Sequence, residues 1–444
     1  MRQICVTHVA TVDPASKLST WGADLSMSLR KASAIVAWIA LAVIASVAGL
    51  YYATFGTVRA PTVAATDFVL PDVTIVTPRI ERLSDQDVGI AGDKIEWVGP
   101  AASVLSPKSL QEFRGRYVLP GLFDMHMHFP PGNMLHLTEH ALLLFLAHGV
   151  TGVRALGDLT GTSDPAARAA LANGAPGPEM FTCGPFVAGT SALRWPNTII
   201  VNRPEEADGI VDRIRAAGNV CVKAYEDLSR EKLRALREAT AKRGMAMPGH
   251  VPYGLDYVAG DVPEVTSTLK GDHLIERSFD WSSVDEARLD EVVQATLQNG
   301  TINLPTLVST SQFLYFRDVA AARATPAAHL LPRLYRDVVW DPHDGIAIWR
   351  GVDRRISLIE DSHRKKLELT PRLFEAGAPL LIGTDAGQPF VPPGSVFSSK
   401  CANSRRLASP SRVWAIATWR AADMLGRSDL GRIRAGARVA HRVS

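Results

Sequence analysis

A chain of 444 residues, 46% of them hydrophobic, can bury a full core without help from disulfides. Its formal net charge of +3 is close to balanced and no long basic run occurs, so nucleic acid is not an expected partner. The four cysteines, Cys5, Cys183, Cys221 and Cys401, lack CxxC spacing; they read as two buried core thiols and two incidental residues, not as a zinc site or a disulfide framework.

The first feature in chain order is an uncharged run from Ala32 to Phe55. As a helix its roughly 24 residues would span about 36 Å, enough for a hydrocarbon core of ~30 Å. Arg30 and Lys31 precede it, and Trp38, Tyr51 and Tyr52 lie towards its ends, as in an aromatic belt. The expectation is a transmembrane anchor over 32–55, with 1–31 a cytoplasmic segment whose real start could be Met27. A cleaved secretory signal ending in "SVA" before Gly49 is the alternative. On either reading the bulk of the chain is expected outside the cytoplasm, periplasmic or extracellular.

After a short linker, "TDFVLPDVTIVTP" and "IAGDKIEWVGP" alternate as strands do, which suggests a small β-subdomain over 66–117. From residue 118 the pattern becomes strand, loop, helix, repeated. Strand-like runs include "GVTGVRALGD", "EMFTCGPFV", "NVCVKAY", "GMAMPGHV", "GDHLIERS", "TINLPTLVS" and "APLLIGTDAG". The clearest helix is "LSREKLRALREATAKRG", with Ser229 as N-cap, Leu233, Leu236 and Ala239 as an apolar stripe, and Gly244 to end it. About eight such units in series predict an α/β fold, a (β/α)8 TIM-like barrel over 118–424.

Within "PGLFDMHMHF", His126 and His128 are one residue apart. On a strand, i and i+2 share a face about 6.5–7 Å apart, so two imidazoles there can converge on one metal. Lys223 lies inside an apolar strand, where a bare ammonium would be expensive. His250 and Asp385 likewise end apolar strands, and the carboxyl ends of barrel strands are where barrel active sites form. A short rival pattern, "HLTEH" from His136 to His140, matches H-x-x-E-H; it lacks a third ligand and opens an ordinary helix, so both histidines read as surface or loop-proximal residues.

In this order "PGLFDMHMHF", "GVTGVRALGD", "CVKAYEDLS", "PGHV" and "IGTDAG" resemble the amidohydrolase superfamily, in its prolidase-like, imidazolonepropionase-related branch. The resemblance spans about Thr66 to Gly436. It implies a barrel flanked by a β-sandwich to which 425–444 returns, and one or two divalent metals, usually zinc. His126, His128 and Asp385 would hold one metal, a carboxylated Lys223 would bridge, and His250 would serve the second. Asp385 would act as general base and then protonate the leaving amine. Tyr225 would touch a dipeptide or other small substrate, or be a core aromatic with its hydroxyl at the rim. The implied reaction is hydrolysis of an amide-type bond in a dipeptide, cyclic amide or related ester; a homo-oligomer is left open.

Two departures stand against that pattern. Where the sixth strand would carry Glu-His, the chain has Glu276-Arg277, with His273 the nearest imidazole. Arg277 cannot ligate a metal, so one tightly held ion is expected, with Arg277 available to a substrate carboxylate. The chain also stops soon after "GRIRAGARVA", short of further sandwich strands. A noncatalytic metal- or peptide-binding relative is therefore the alternative class. Finally, Phe397–Ala408 lacks helical periodicity where a helix is expected, and reads as a loop or as the product of two compensating frameshifts.

Overall fold

The computed structural model describes residues 35–50, 68–77, 81–101, 110–132, 137–189, 195–252, 254–266, 284–341, 356–395 and 410–439. The chain divides into two compact units, Met1–Thr57 and Val58–Ser444. Met27, Arg277, His273, His136 and the segment Phe397–Ala408 lie outside the described residues.

In the first unit the described residues form one helix, α1, at 35–50. No helix among the described residues is long and apolar enough to cross a membrane. The expected anchor at 32–55, with the membrane partner and the membrane-anchored location built on it, is therefore not supported.

The second unit opens with a four-stranded sheet of order β3-β2-β1-β4, built from β1 (Phe68–Val76), β2 (Arg82–Ala91), β3 (Lys94–Pro100) and β4 (Tyr117–Val118). Along β1 buried and half-buried residues alternate strictly, so Val69, Val73 and Ile75 share the inner face. Val73 and Ile75 join Val88, Ile90, Ile95 and Ala437 in one apolar cluster. Ala437 is there because the chain returns to β3, where Ile95 N–H donates to its carbonyl at 2.8 Å.

The barrel follows. Its parallel strands are β5 (Leu122–Met127), β6 (Val150–Ala155), β7 (Glu179–Thr182) continued by β8 (Phe186–Ala188), β10 (Lys223–Ala224), β11 (Pro248–Gly249), β12 (Glu264–Thr266) and β13 (Ile302–Leu304). β9 (Thr198–Ile200) pairs on the outer side of β8. The extended segment 380–386 closes the ring, bridging Asn303 through Leu380 and Met127 through Ala386. Helices α2 (Leu137–Ala147), α3 (Ser163–Ala172), α4 (Ala207–Ala216), α5 (Arg230–Lys242) and α6 (Glu286–Asn299) connect these strands. α5 shows why the sequence folds locally as it does. The Ser229 hydroxyl accepts from Lys232 N–H, Leu233, Leu236 and Ala239 are buried, and Gly244 follows the last turn in the left-handed region.

One expectation needs correction here. The sixth barrel position belongs to β12, which pairs with β11 on one side and β13 on the other. The segment "GDHLIERS", which carries Arg277, lies outside the described residues. Two of the four cysteines were expected as buried core thiols with no disulfide; Cys183 and Cys221 are buried and form a disulfide, with Cα atoms 4.5 Å apart. They face each other from neighbouring barrel positions although 38 residues separate them in sequence, a pairing no spacing rule reveals.

Candidate metal centre

All six residues of β5 are buried, so its polar side chains face the barrel interior at the expense of water. His126 and His128 stand there with ring centroids 5.4 Å apart. The segment 380–386 runs beside them. Asp385 N–H donates to His126 O at 2.6 Å and His128 N–H to Ala386 O at 2.7 Å. Gly383 permits this approach, because a Cβ on it would lie 2.6 Å from that of His126. The chain then turns sharply, with Asp385 at φ 61°, a left-handed conformation that Asp tolerates better than most residues.

The turn delivers the Asp385 carboxylate between the imidazoles. Its Oδ1 lies 3.4 Å from His126 Nε2 and 3.2 Å from His128 Nε2. Among the described residues this is the one group of three or more His, Cys, Asp or Glu side chains whose ligand atoms all lie within 4.8 Å of one another. His128 Nδ1 is 2.8 Å from Gly157 O, an acceptor, so Nδ1 carries the proton. In the neutral ring the Nε2 lone pair then faces a carboxylate oxygen, an arrangement that a cation between them relieves. Burial above all holds His126 well below the usual imidazole range in spite of Asp385, so it is a neutral donor. Two imidazoles and a carboxylate within one buried cluster are a donor set that fits a divalent metal such as zinc.

Asp124 anchors the cluster from behind. Its Oδ1 accepts from His126 N–H at 3.2 Å and Thr384 N–H at 3.0 Å, and its Oδ2 accepts from the Thr384 hydroxyl at 2.5 Å. Burial pushes its carboxyl up to about 7, against the hydrogen bonds from Thr384 and His126 that favour the ionised form. One layer away, Arg154 crosses the barrel: its Nε donates to Met125 O at 3.0 Å and its Nη1 to Glu264 Oε2 at 3.0 Å, and both side chains are buried.

Lys223 and His250 end neighbouring strands and are both buried. Lys223 Nζ donates to the Thr266 hydroxyl, and its charge acts on His126. His250 Nδ1 meets Glu226 Oε1 at 2.9 Å. The ring of Tyr225 packs between Phe186 and His250, 4.7 Å from each, and its hydroxyl accepts from Trp195 Nε1 at 3.4 Å. The rival "HLTEH" pattern gains nothing: His140 is engaged through Nε2 with Leu330 O at 2.6 Å.

Sequence reasoning thus found the residues at strand ends and missed Asp124, Thr384, Thr266, Glu226 and the Arg154–Glu264 pair. Only Asp124 gave a signal, since it lies two residues before His126 and so on the same face.

The amidohydrolase family profile matches residues 117–438, which is most of the chain. No curated protein matches it in sequence. Solved structures resemble it in fold. A bottromycin amidohydrolase is 22% identical with a TM-score of 0.60, over 88% of this chain and 85% of its own. A Xaa-Pro dipeptidase with bound methionine in its active site is 18% identical with a TM-score of 0.59, over 84% and 92%. The ochratoxinase of A. niger is 16% identical with a TM-score of 0.56, over 85% and 88%. The chain belongs to the amidohydrolase family, whose members are hydrolases of amide-type bonds that generally bind divalent metals.

Proposed function

We propose that this protein hydrolyses an amide bond in a dipeptide or a related small amide, using a divalent metal held by His126, His128 and Asp385. The observation that carries this is the meeting of two imidazole nitrogens and one carboxylate within 4.8 Å on adjoining barrel segments. Zinc is the metal proposed. When bound, such an ion polarises a carbonyl and lowers the pKa of a water towards ~7.

The chain's own residues do the rest. Asp385 takes the proton of the attacking water and returns it to the leaving nitrogen, the task of a general base that becomes a general acid. Asp124 and Thr384 keep that carboxylate's turn against β5. Lys223, carboxylated in the working enzyme, presents anionic oxygens instead of a buried ammonium. His250 supplies a further imidazole ligand. Tyr225, with Phe186 and Trp195, forms an aromatic wall beside His250 on which an apolar part of the substrate rests. Arg277 is proposed to receive a substrate carboxylate.

The test is a panel of dipeptides, C-terminally amidated dipeptides, N-acyl amino acids and cyclic amides, followed by mass spectrometry. Protein stripped by chelator should be inactive, and zinc should restore cleavage. Asp385→Asn should lose roughly 10²–10⁴-fold of the rate, the usual range for a positioned acid–base group. Arg277→Ala should raise KM only for substrates with a free carboxylate. If metal binds and no member of the panel is cut, the protein is the noncatalytic relative instead.

A further inference from the structure

His250 is held on three sides. Its backbone N–H donates to Ala224 O at 3.1 Å, the Tyr225 ring packs against its face, and Glu226 Oε1 lies 2.9 Å from its Nδ1. Glu226 is 1% exposed, and a carboxylate that deep needs a purpose that offsets its desolvation. Its position is built rather than incidental. Gly189 N–H donates to Glu226 O at 2.9 Å, and Asp227 adopts φ 58° immediately after it. A Cβ on Gly189 would come within 1.6 Å of Asp227 O, so only glycine lets the two barrel loops meet there.

We propose that Glu226 is a positioning residue that fixes His250 with its proton on Nδ1 and its lone pair on Nε2, and so makes it a metal ligand rather than a hydrogen-bond donor. A carboxylate can only accept, which forces Nδ1 to donate and leaves Nε2 as the basic nitrogen. Its charge also raises the basicity of that nitrogen, as carboxylates behind metal-binding histidines do. The assignment rests on the hydrolase reading only for what Nε2 binds; the tautomer itself follows from Glu226 alone.

Two measurements separate these. Nitrogen-15 NMR of histidine-labelled, metal-free protein should show His250 protonated at Nδ1 and bare at Nε2. Glu226→Gln, which keeps an acceptor, should largely preserve that tautomer, whereas Glu226→Leu should lose it. Co²⁺ titration with absorbance detection should show the ion that engages His250 weakened about 10–100-fold by Glu226→Leu and less by Glu226→Gln, with the ion at His126, His128 and Asp385 unchanged. A native His250 protonated at Nε2, or an unaltered tautomer and Co²⁺ affinity in folded Glu226→Leu, overturns the proposal. Absence of any Co²⁺ binding by the native protein would defeat the hydrolase reading, while the NMR spectra would still decide the role of Glu226.

Discussion

Glu264→Ala probes the brace that crosses the barrel beneath the candidate metal centre. In the native protein Arg154 holds both carboxylate oxygens of Glu264, and both side chains are almost wholly buried, at 1% and 2% exposure. The alanine variant keeps the bond from Arg154 Nε to Met125 O but leaves a buried guanidinium without its counter-charge. Breaking one partner of such a pair costs about 3–5 kcal/mol, a large part of the 5–15 kcal/mol that holds most folded proteins together. At a slope of roughly 3 kcal/mol per M urea, the unfolding midpoint should fall by about 1–1.7 M, as followed by tryptophan fluorescence. Arg154→Met with Glu264→Leu removes both charges, and should be far less destabilised than the two single variants summed. A midpoint within about 0.3 M of native for Glu264→Ala, or strict additivity in the double variant, would refute the claim that a buried ion pair spans the barrel.

Ser229→Ala should destabilise by about 0.5–1 kcal/mol, because one N–H at the start of α5 loses its acceptor; unchanged urea unfolding would count against the cap. Asp164 is buried with both carboxylate oxygens lacking hydrogen-bond partners, and burial first, then the Asp158 charge, hold its carboxyl well above the ordinary range against Arg168. Its folded state therefore retains a proton that the unfolded chain has already released, so the stability it contributes is complete below the usual carboxylate pKa and lost as pH rises. Midpoints measured from pH 4 to 8 should fall less steeply for Asp164→Asn than for the native protein, and identical slopes would contradict this. Replacing Cys183 and Cys221 together by Ser opens a loop of 38 residues and should cost about 4 kcal/mol in the chain-entropy account. Alkylation of both cysteines in unfolded, unreduced protein would show that the bond does not form.

The strand ends were legible in the sequence because period-2 alternation and apolar runs mark barrel strands one at a time. His126, His128, Lys223, His250 and Asp385 were picked out that way as candidates, and the fold brings three of them, His126, His128 and Asp385, together. What joins strands distant in sequence was not. Asp124 meets Thr384 across 260 residues and Arg154 meets Glu264 across 110, and neither pairing leaves a local mark. The membrane anchor rested on hydropathy alone, and no helix among the described residues is long and apolar enough to cross a membrane.

The account stands on His126, His128 and Asp385 forming one metal centre. Zinc titrated into chelator-stripped protein by calorimetry tests this most directly, with native protein beside His126→Ala, His128→Ala and Asp385→Asn. The prediction is a tightly held ion in the native protein that is lost, or weakened by orders of magnitude, in each of the three variants. Native-like zinc affinity in any of these three, with the fold intact, would contradict it.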